Sequence, residues 1–302
     1  MSTENSADST GRPGKVEPDL PVITLLTDFG TADYFVGAMK GVILTINRSA
    51  TIIDITHEIP PQDIESGAFT LLTCYRDFPD GTIHVAVVDP GVGSTRRAIV
   101  VRAGGHGGAG PHYFVGPDNG LFSYIYDREP SCEVFHVTTS EYFRPSPSAT
   151  FHGRDVFAPV AAALSKGIDP QALGARITDY IRLPPLSPTA DDTGKLHGRI
   201  IHIDHFGNCI TNFTRPDLPE SKPAKLTVNG RTITTFRKFF TDEHGSKPDE
   251  HGPDDQLFAI LGSAGFLELA INRASAANFL QAHRGNPVVL YLLPTIDTRF
   301  SG

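Results

Sequence analysis

The chain has 302 residues, 39% of them hydrophobic and 20% charged, which is the composition of a globular protein with one large or two ordinary domains. Its 34 acidic and 26 basic side chains give a net charge of −8, which argues against nucleic acid as the main partner because phosphate binding requires a basic surface. The three cysteines, Cys74, Cys132 and Cys209, are widely separated and form no metal motif or disulfide framework, so a cytoplasmic location is expected.

The first 20 residues are polar and lack the apolar segment of a signal peptide or membrane anchor, so a disordered tail is predicted there. No segment of the chain approaches the roughly 20 apolar residues that a transmembrane helix requires. We therefore expect a soluble protein with no membrane partner.

Short β-branched runs then alternate with helical patterns. Strands are predicted at Val22–Thr27, Thr51–Ile55 and Thr82–Val88, and helices at Asp33–Ile46 and Asp63–Tyr75. The third run is nearly all apolar, as expected for a strand that is covered on both faces. The alternation predicts an α/β domain over residues 21–185, with a doubly wound and mostly parallel sheet.

Two further segments complete this domain. Gly104–His112 is too rich in glycine for a regular element and predicts a flexible loop between strands. The segment ATFHGRDVFAPVAAALSKG predicts a helix from about Asp155, with Pro159 in the first turn and Gly167 at the end. We interpret Arg154 and Asp155 as a buried ion pair and a helix N-cap, respectively.

The composition changes after Arg182–Gly194, a segment rich in Pro, Asp and Thr that predicts an interdomain linker. Asn229–Gly230 stands between two β-rich runs and is a strong hairpin signal, whereas Thr241–Gln256 is a polar, acidic loop. Residues 195–302 are therefore predicted to form a second domain of mainly antiparallel β structure, similar to a small barrel.

Polar residues follow the predicted strands, where ligands bind in open α/β sheets. Asp28 follows the first strand, Asp89 follows the third, and Arg96 comes after Asp89 across a DPGVGS turn. His152 precedes the helix. Each has a structural alternative, since Asp28 suits a turn or cap and a histidine beside a helix start is often structural. The DFG and GVGST strings lack the accompanying residues of a protein kinase or a phosphate loop.

Six motifs occur in order along the chain: LLTDFGTADYFVGAMKGVI, THEIPPQDIESGAF, VVDPGVGSTRR, YFVGPDNGLF, FHGRDVFAPVAAAL and IDHFGNCITN. Together they resemble the S-adenosyl-L-methionine (SAM) hydrolase family, also called SAM hydroxide adenosyltransferases, which are relatives of the SAM-dependent fluorinase and chlorinase. The resemblance extends from about Val22 to Leu293 and implies an α/β domain followed by an antiparallel β domain. It also implies a homotrimer that holds its substrate between the N-terminal domain of one subunit and the C-terminal domain of the next.

The implied reaction is hydrolysis of SAM to adenosine and L-methionine by in-line attack of water on the ribose 5′ carbon. The family's catalytic set corresponds to Asp89, Arg96 and His152. Arg96 would stabilise a developing hydroxide, neutral His152 would accept the water proton, and Asp89 would orient the water or the imidazole or contact the ribose; the residue that receives the proton stays open. The sulfonium departs as a neutral thioether, so neither a metal nor a cofactor is expected.

The resemblance also implies substrate contacts. Asp28 would bind the ribose hydroxyls, Phe206 would stack on the adenine and Asn208 would bind its edge. The methionine moiety would be contacted by Asp204, Ser263 and Glu268. The adenine would be contacted by the backbone near Ile271. A turn or core role remains the structural alternative for each of them.

Four positions depart from the halogenase pattern. Fluorinase-like relatives have a tyrosine at the position of Asp89, a serine at that of Gly153, an aromatic residue at that of Gln62 and an arginine at that of Ala264. A carboxylate at the attacking position repels a halide and, beside Arg96, favours water. The alternatives to hydrolysis are a halide-using SAM adenosyltransferase and a non-catalytic sensor that binds SAM or adenosine.

Overall fold

The structure is a computed structural model that describes residues 20–105, 110–218, 224–240 and 257–292. The predicted tail, apart from Leu20, and the predicted acidic loop Thr241–Gln256 lie outside these residues. Among the residues described, no helix combines the length and the apolar character that spanning a membrane requires.

The N-terminal domain alternates strands and helices close to their predicted bounds. Its strands are β1 Val22–Thr27, β2 Thr51–Thr56, β3 Ile83–Val87, β4 Ala98–Gly104, β5 Pro111–Pro117, β6 Glu133–His136 and β7 Arg176–Ile177. Its helices are α1 Phe35–Ile46, α2 Ile64–Cys74, α3 Ser123–Arg128, α4 Ala158–Leu164 and α5 Pro170–Leu173. Strands β4 and β5 take up the two ends of the predicted glycine-rich loop, whose residues 106–109 lie outside the described part of the chain.

These strands form one sheet in the order β2-β1-β3-β5-β4-β6-β7. Strand β1 pairs in parallel with β2 and β3, and β3 pairs in parallel with β5, whereas β4 and β7 run against their neighbours. In the pairing of β1 with β3, Thr27 lies opposite Val87. The residues that follow these two strands, including Asp28 and Asp89, therefore emerge side by side.

Alternate residues of the central strands enter two different cores. On one face, Leu25 and Val85 pack with Met39 of α1 and with α4. On the other face, Leu26 and Ala86 pack with α2 and α3. A sheet covered on both faces explains the nearly continuous apolar runs of its strands, and the predicted α/β fold class is confirmed.

The helical segment that contains His152 begins earlier than predicted. Gly153–Phe157 forms a π-helical turn that leads into α4, and His152 occupies the N-cap position. The prediction of Asp155 as the N-cap is therefore wrong. Its buried carboxylate accepts hydrogen bonds from Arg154 Nε at 2.7 Å and from Ser148 N at 2.8 Å, so it anchors the preceding loop instead of capping the helix. The ion pair between Arg154 and Asp155 is confirmed, but only its Asp155 side is buried, since the Arg154 side chain is 29% exposed.

The C-terminal domain is a curved, mainly antiparallel sheet, as predicted. Its elements are β8 Thr189–Ala190, β9 Leu196–Ile203, β10 Cys209–Thr214, β11 Ala224–Val228, β12 Arg231–Ile233, β13 Phe236–Arg237, β14 Leu257–Leu261, β15 Phe266–Ile271, α6 Ala276–Leu280 and β16 Pro287–Leu292. The strand order is β12-β11-β16-β9-β10-β15-β14-β13, with β8 paired to β9. Asn229 and Gly230 both have positive φ and join β11 to β12 as the predicted hairpin. Strand β8 lies inside the predicted linker.

The two domains share an apolar core. Ile201, Ile210 and Phe266 of the C-terminal sheet pack in the same cluster as Phe69 and Leu71 of α2. Helix α2 therefore lies at the domain junction, and it begins close to the sheet edge at which Asp28 and Asp89 emerge.

Candidate active site

The structure brings Asp89, Arg96 and His152 into one hydrogen-bonded cluster. Arg96 Nε lies 3.0 Å from each carboxylate oxygen of Asp89, and Arg96 Nη2 donates to Asp89 Oδ2 as well. The same Nη2 lies 2.8 Å from His152 Nδ1. The Arg96 and Asp89 side chains are largely buried, and the guanidinium carbon lies 5.2 Å from the centre of the buried Phe157 ring. The guanidinium is therefore fixed between a carboxylate, an imidazole and an aromatic face.

Glycine at position 93 allows the two loops of this cluster to meet. Gly93 has φ 75°, and an added Cβ would lie 2.3 Å from Ala149 O, in the segment that leads to His152. The turn before Arg96 is closed by hydrogen bonds from Val92 N to Asp89 O at 3.2 Å and from Ser94 N to Gly91 O at 3.1 Å. A side chain at position 93 would be strained and would push the loops apart.

The hydrogen bond from Arg96 sets the protonation of His152. A guanidinium has no acceptor, so Arg96 Nη2 donates and His152 Nδ1 accepts. In the neutral imidazole the proton is therefore on Nε2. Burial, and then the charge of Arg96, lower the pKa of His152 below its ordinary value of 6.5. At neutral pH the arrangement thus offers an Nε2–H donor beside a fixed cation.

Asp28 emerges at the same sheet edge and is held by the loop that precedes α2. Asp28 Oδ2 accepts a hydrogen bond from Gln62 N at 2.8 Å. Gln62 has φ 64°, a left-handed conformation that is uncommon outside glycine. Gly30 N donates to His57 O at 2.8 Å, and Thr27 Oγ1 lies 2.9 Å from His57 Nδ1, so the two loops are tied together at several points.

Aromatic side chains connect Asp28 to His152. The Phe29 ring lies 6.0 Å from that of Phe151, centre to centre, and Phe35 packs against both. A Cβ added to Gly153 would lie 3.1 Å from Met39 Sδ and 3.3 Å from the Phe151 ring. Gly153 thus packs against side chains without space to spare.

In the C-terminal domain, Asp204 organises the loop between β9 and β10. Its Oδ1 accepts hydrogen bonds from Phe206 N at 2.9 Å and Asn208 N at 2.8 Å, and its Oδ2 accepts one from Asn208 Nδ2 at 2.8 Å. Asn208 is buried, whereas the Phe206 side chain is 76% exposed. This loop therefore presents an immobilised amide beside a large exposed aromatic ring.

Three of the predicted residues line one cavity of about 640 Å³, and four of its lining residues were not predicted. The predicted ones are Phe206, Asn208 and Ile271, and the additional ones are Phe240, Arg273, Ala274 and Ser275. Ser275 was accessible to sequence reasoning, since it caps α6 by accepting from Asn278 N. Arg273 has φ 59°, and a left-handed arginine has no sequence signature.

Ser263 and Glu268 belong to the hairpin between β14 and β15. Ser263 lies in its exposed turn, and Glu268 pairs with Ile210 across the sheet. A Cβ added to Gly262 would overlap the Glu268 carboxylate, so this glycine makes room for it. Burial, and then the charge of Asp204, raise the pKa of Glu268.

The predicted residues thus form two groups, one in each domain. Within the part of the chain that the structure describes, no hydrogen bond or ion pair joins Asp89, Arg96 and His152 to the loop from Asp204 to Asn208. The described residues also contain no group of three or more His, Cys, Asp or Glu side chains placed to hold a metal ion.

Two family models match most of the chain. The SAM hydroxide adenosyltransferase N-terminal domain matches residues 23–174, and the SAM hydroxide adenosyltransferase C-terminal domain matches residues 198–289. The two matches cover the two groups of candidate residues, one group each.

Individual relatives agree with these matches. The (R)-S-adenosyl-L-methionine hydrolase of Methanocaldococcus jannaschii is 37% identical over 86% of this chain and 92% of its own. The hydrolase of the same name from Thermus thermophilus is 36% identical over 89% of this chain and 98% of its own. Fluorinases are more distant, at 28–30% identity. The crystal structure of an uncharacterized conserved protein from Thermotoga maritima superposes with a TM-score of 0.77 and 33% identity, covering 89% of this chain and 99% of that one.

Proposed function

The chain belongs to the SAM hydroxide adenosyltransferase family, and from this premise we propose that it hydrolyses SAM to adenosine and L-methionine. The relatives named (R)-S-adenosyl-L-methionine hydrolase are 34–37% identical to it over most of its length, whereas the fluorinases are 28–30% identical. The name of these relatives specifies the R form, and we propose the same sulfonium epimer as the substrate here.

The observation that carries the proposal is the bridge that Arg96 makes between Asp89 and His152. A buried carboxylate at this position is unsuited to a halide, because the two anions repel each other. Water is neutral, and the hydroxide that forms from it is stabilised by the guanidinium and by a neutral imidazole donor.

We propose the following roles for these groups. Arg96 and the Nε2–H of His152 hold the oxygen of the attacking water in line with the bond from the 5′ carbon to sulfur. A carbon–oxygen bond forms, the carbon–sulfur bond breaks with its electron pair on sulfur, and methionine leaves as a neutral thioether. The water proton passes to solvent. His152 acts as a donor in this scheme, since its Nδ1 accepts from Arg96. Asp89 keeps the guanidinium in place.

The remaining candidate residues are assigned to substrate binding. Asp28 binds the ribose hydroxyls through the oxygen that Gln62 N leaves free. Phe206 stacks on the adenine, and Asn208, with the backbone of Ile271, binds the adenine edge in the cavity that these three residues share.

The methionine moiety is assigned to the other three residues. Ser263 contacts it from the β14–β15 turn. Asp204 and Glu268 share its ammonium. Burial, and then the charge of Asp204, raise the pKa of Glu268, and a cation bound there favours the ionised carboxylate.

We further propose that the complete site forms between subunits of a homotrimer. The candidate residues of the N-terminal domain, which include Asp28 and Arg96, and those of the C-terminal domain, which include Phe206, form two separate groups. The exposure of Phe206 fits a ring that packs against substrate held by a neighbouring subunit. Mass measurement in solution tests the assembly. Arg96→Met chains should be inactive, and Phe206→Ala chains should turn over SAM only with a raised KM. Mixing the two should restore turnover at the KM of the unaltered protein, because one kind of mixed interface then carries both intact groups.

We propose that the reaction requires neither metal nor cofactor, because its leaving group is neutral without one. Dialysis against EDTA should leave the rate unchanged. The cytoplasmic location predicted from the cysteines stays a prediction, and localisation of a tagged chain tests it.

The decisive experiment incubates the protein with each sulfur epimer of SAM and identifies the nucleoside by mass. Adenosine from the R epimer is the expected product, and in ¹⁸O-labelled water the label should appear at its 5′ oxygen. Parallel reactions with fluoride or chloride test the halide alternative. A halogenated 5′-deoxyadenosine as the main product would overturn hydrolysis, and SAM binding without adenosine would identify a sensor.

A further inference from the structure

A left-handed turn between β2 and α2 contacts Asp28, the carboxylate assigned to the ribose. The turn comprises Pro60–Asp63, and Asp63 N closes it by donating to Pro60 O at 3.0 Å. Gln62 has φ 64°, and its N–H is held 2.8 Å from Asp28 Oδ2. An unfavourable backbone conformation persists only where its surroundings impose it, and such positions cluster at ligand-binding sites.

The last residue of this 60–63 turn, Asp63, is bound by an arginine of the C-terminal domain. Arg284 Nη1 lies 2.5 Å from Asp63 Oδ2 and also donates to Ser66 Oγ. Asp63 is at the same time the N-cap of α2, accepting from Ser66 N at 3.0 Å. Burial alone would raise the pKa of Asp63, but Arg284 and the Ser66 donors lower it below its usual value, so the carboxylate is ionised at neutral pH.

Arg284 extends from a fixed backbone. It lies in the turn between α6 and β16, where Gly285 N donates to Ile200 O at 2.7 Å and Ile200 N donates to Asn286 O at 2.9 Å. Ile200 is a fully buried residue of β9. The guanidinium is thus supported by the core of the C-terminal sheet while its tip reaches the start of α2.

We propose that Arg284 is a positioning residue for substrate recognition. By holding Asp63, it fixes the 60–63 turn so that Gln62 N occupies one oxygen of Asp28 and leaves the other for the ribose hydroxyls. The proposal rests on the proposed function, because it takes Asp28 as the ribose carboxylate. It assigns to Arg284 a role in discriminating the sugar and no contact with the substrate.

The test compares kcat/KM for SAM with that for its 2′-deoxy analogue. For the unaltered protein, SAM should be preferred about 10- to 100-fold, as expected for a hydrogen bond to a charged group. In Arg284→Gln the preference for SAM should fall to about threefold or less, because a displaced Asp28 no longer forms a hydrogen bond with the 2′ hydroxyl. A purely structural loss would lower both values equally and leave their ratio unchanged.

Arg199→Gln is the matched control. Arg199 crosses the same junction to α2, but its partner is Glu65, which lies beyond the N-cap and outside the 60–63 turn. Its removal should leave the preference for SAM at the level of the unaltered protein. Asp63→Asn is a second variant, since asparagine is an equally good N-cap but lacks the charge that attracts Arg284. It should reduce the preference as Arg284→Gln does.

The outcomes separate this proposal from the one on which it rests. An unchanged preference in Arg284→Gln, or in Asp63→Asn if the former does not fold by circular dichroism, would overturn the role of Arg284. A protein that forms adenosine from SAM without preferring it over the 2′-deoxy analogue would overturn the assignment of Asp28, and the role of Arg284 with it, while hydrolysis would stand. Absence of adenosine altogether would overturn the proposed function.

Discussion

Replacing Arg96 by lysine keeps the positive charge and removes the bridge between Asp89 and His152. The lysine ammonium ends about one bond short of the Nη2 position, so it remains near the Asp89 carboxylate but loses the two Nη2 contacts, the one at 2.8 Å with His152 Nδ1 and the one with Asp89 Oδ2. Both lost bonds have the charged guanidinium as their donor, and such a bond contributes about 1.5–3 kcal/mol. The sum of about 3–6 kcal/mol corresponds to a loss of roughly 10²- to 10⁴-fold in kcat/KM.

The assay is adenosine release from SAM, with the unfolding temperature measured in parallel to show that the variant is folded. Arg97→Lys is the matched control, because Arg97 is adjacent in sequence but pairs with Asp118 and Asp179 outside the cluster. It should change kcat/KM by less than about threefold. A folded Arg96→Lys variant whose kcat/KM is also within threefold of the unaltered value would show that the bridge does not position the nucleophile.

Three other predictions concern pH, loop contact and adenine stacking. The pKa of His152 is lowered from 6.5, so the imidazole stays neutral as the pH falls through that value. The acid limb of the pH profile of kcat/KM should therefore lie below pH 6.5. An acid limb above pH 6.5 that His152→Gln abolishes would contradict this. Gly93→Ala should lower kcat at least about tenfold and destabilise the fold by about 1–3 kcal/mol. Gly91→Ala is its control and should behave almost as the unaltered protein, because the added Cβ meets nothing closer than 3.4 Å. Phe206→Ala should raise KM about tenfold through lost stacking with little change in kcat, and Phe239→Ala, which removes another exposed ring outside the cavity, should leave KM unchanged.

The α/β core was predictable because its signals are local. The run Val22–Thr27 forms β1 with the predicted bounds, and Asn229–Gly230 forms the predicted hairpin. In the strand, β-branched side chains favour an extended backbone. In the hairpin, Asn and Gly are the residue types that most readily adopt a positive φ. The start of the helix after His152 was less predictable, because Asp155 is a good N-cap by type and only the position of Ser148 shows that its carboxylate is engaged elsewhere.

Long-range pairs lie outside the reach of such signals. Arg284 and Asp63 are in different domains, and no periodicity or spacing connects two charged residues so far apart in the chain. The left-handed conformation of Arg273 is equally hidden from sequence patterns. Arg273 lies in a tight turn that Ala274 N closes by donating to Ile271 O at 3.3 Å, and arginine is not a residue type that indicates a positive φ. Sequence patterns therefore predict elements and motifs, whereas the support of those motifs by other domains has to be observed.

The proposed catalytic roles show the same division within a single cluster. Residue types and motif order bring forward Asp89, Arg96 and His152 as candidates, and a histidine in such a set is first interpreted as the base. One contact reverses that interpretation: Nδ1 accepts from a guanidinium that cannot itself accept, which leaves a proton on Nε2. In the proposed reaction the imidazole therefore donates to the hydroxide, and the pH dependence of the rate should follow ionisation of the bound water at high pH and protonation of His152 only at low pH. The chemistry assigned to a histidine thus depends on which of its two ring nitrogens accepts a hydrogen bond and which carries the proton.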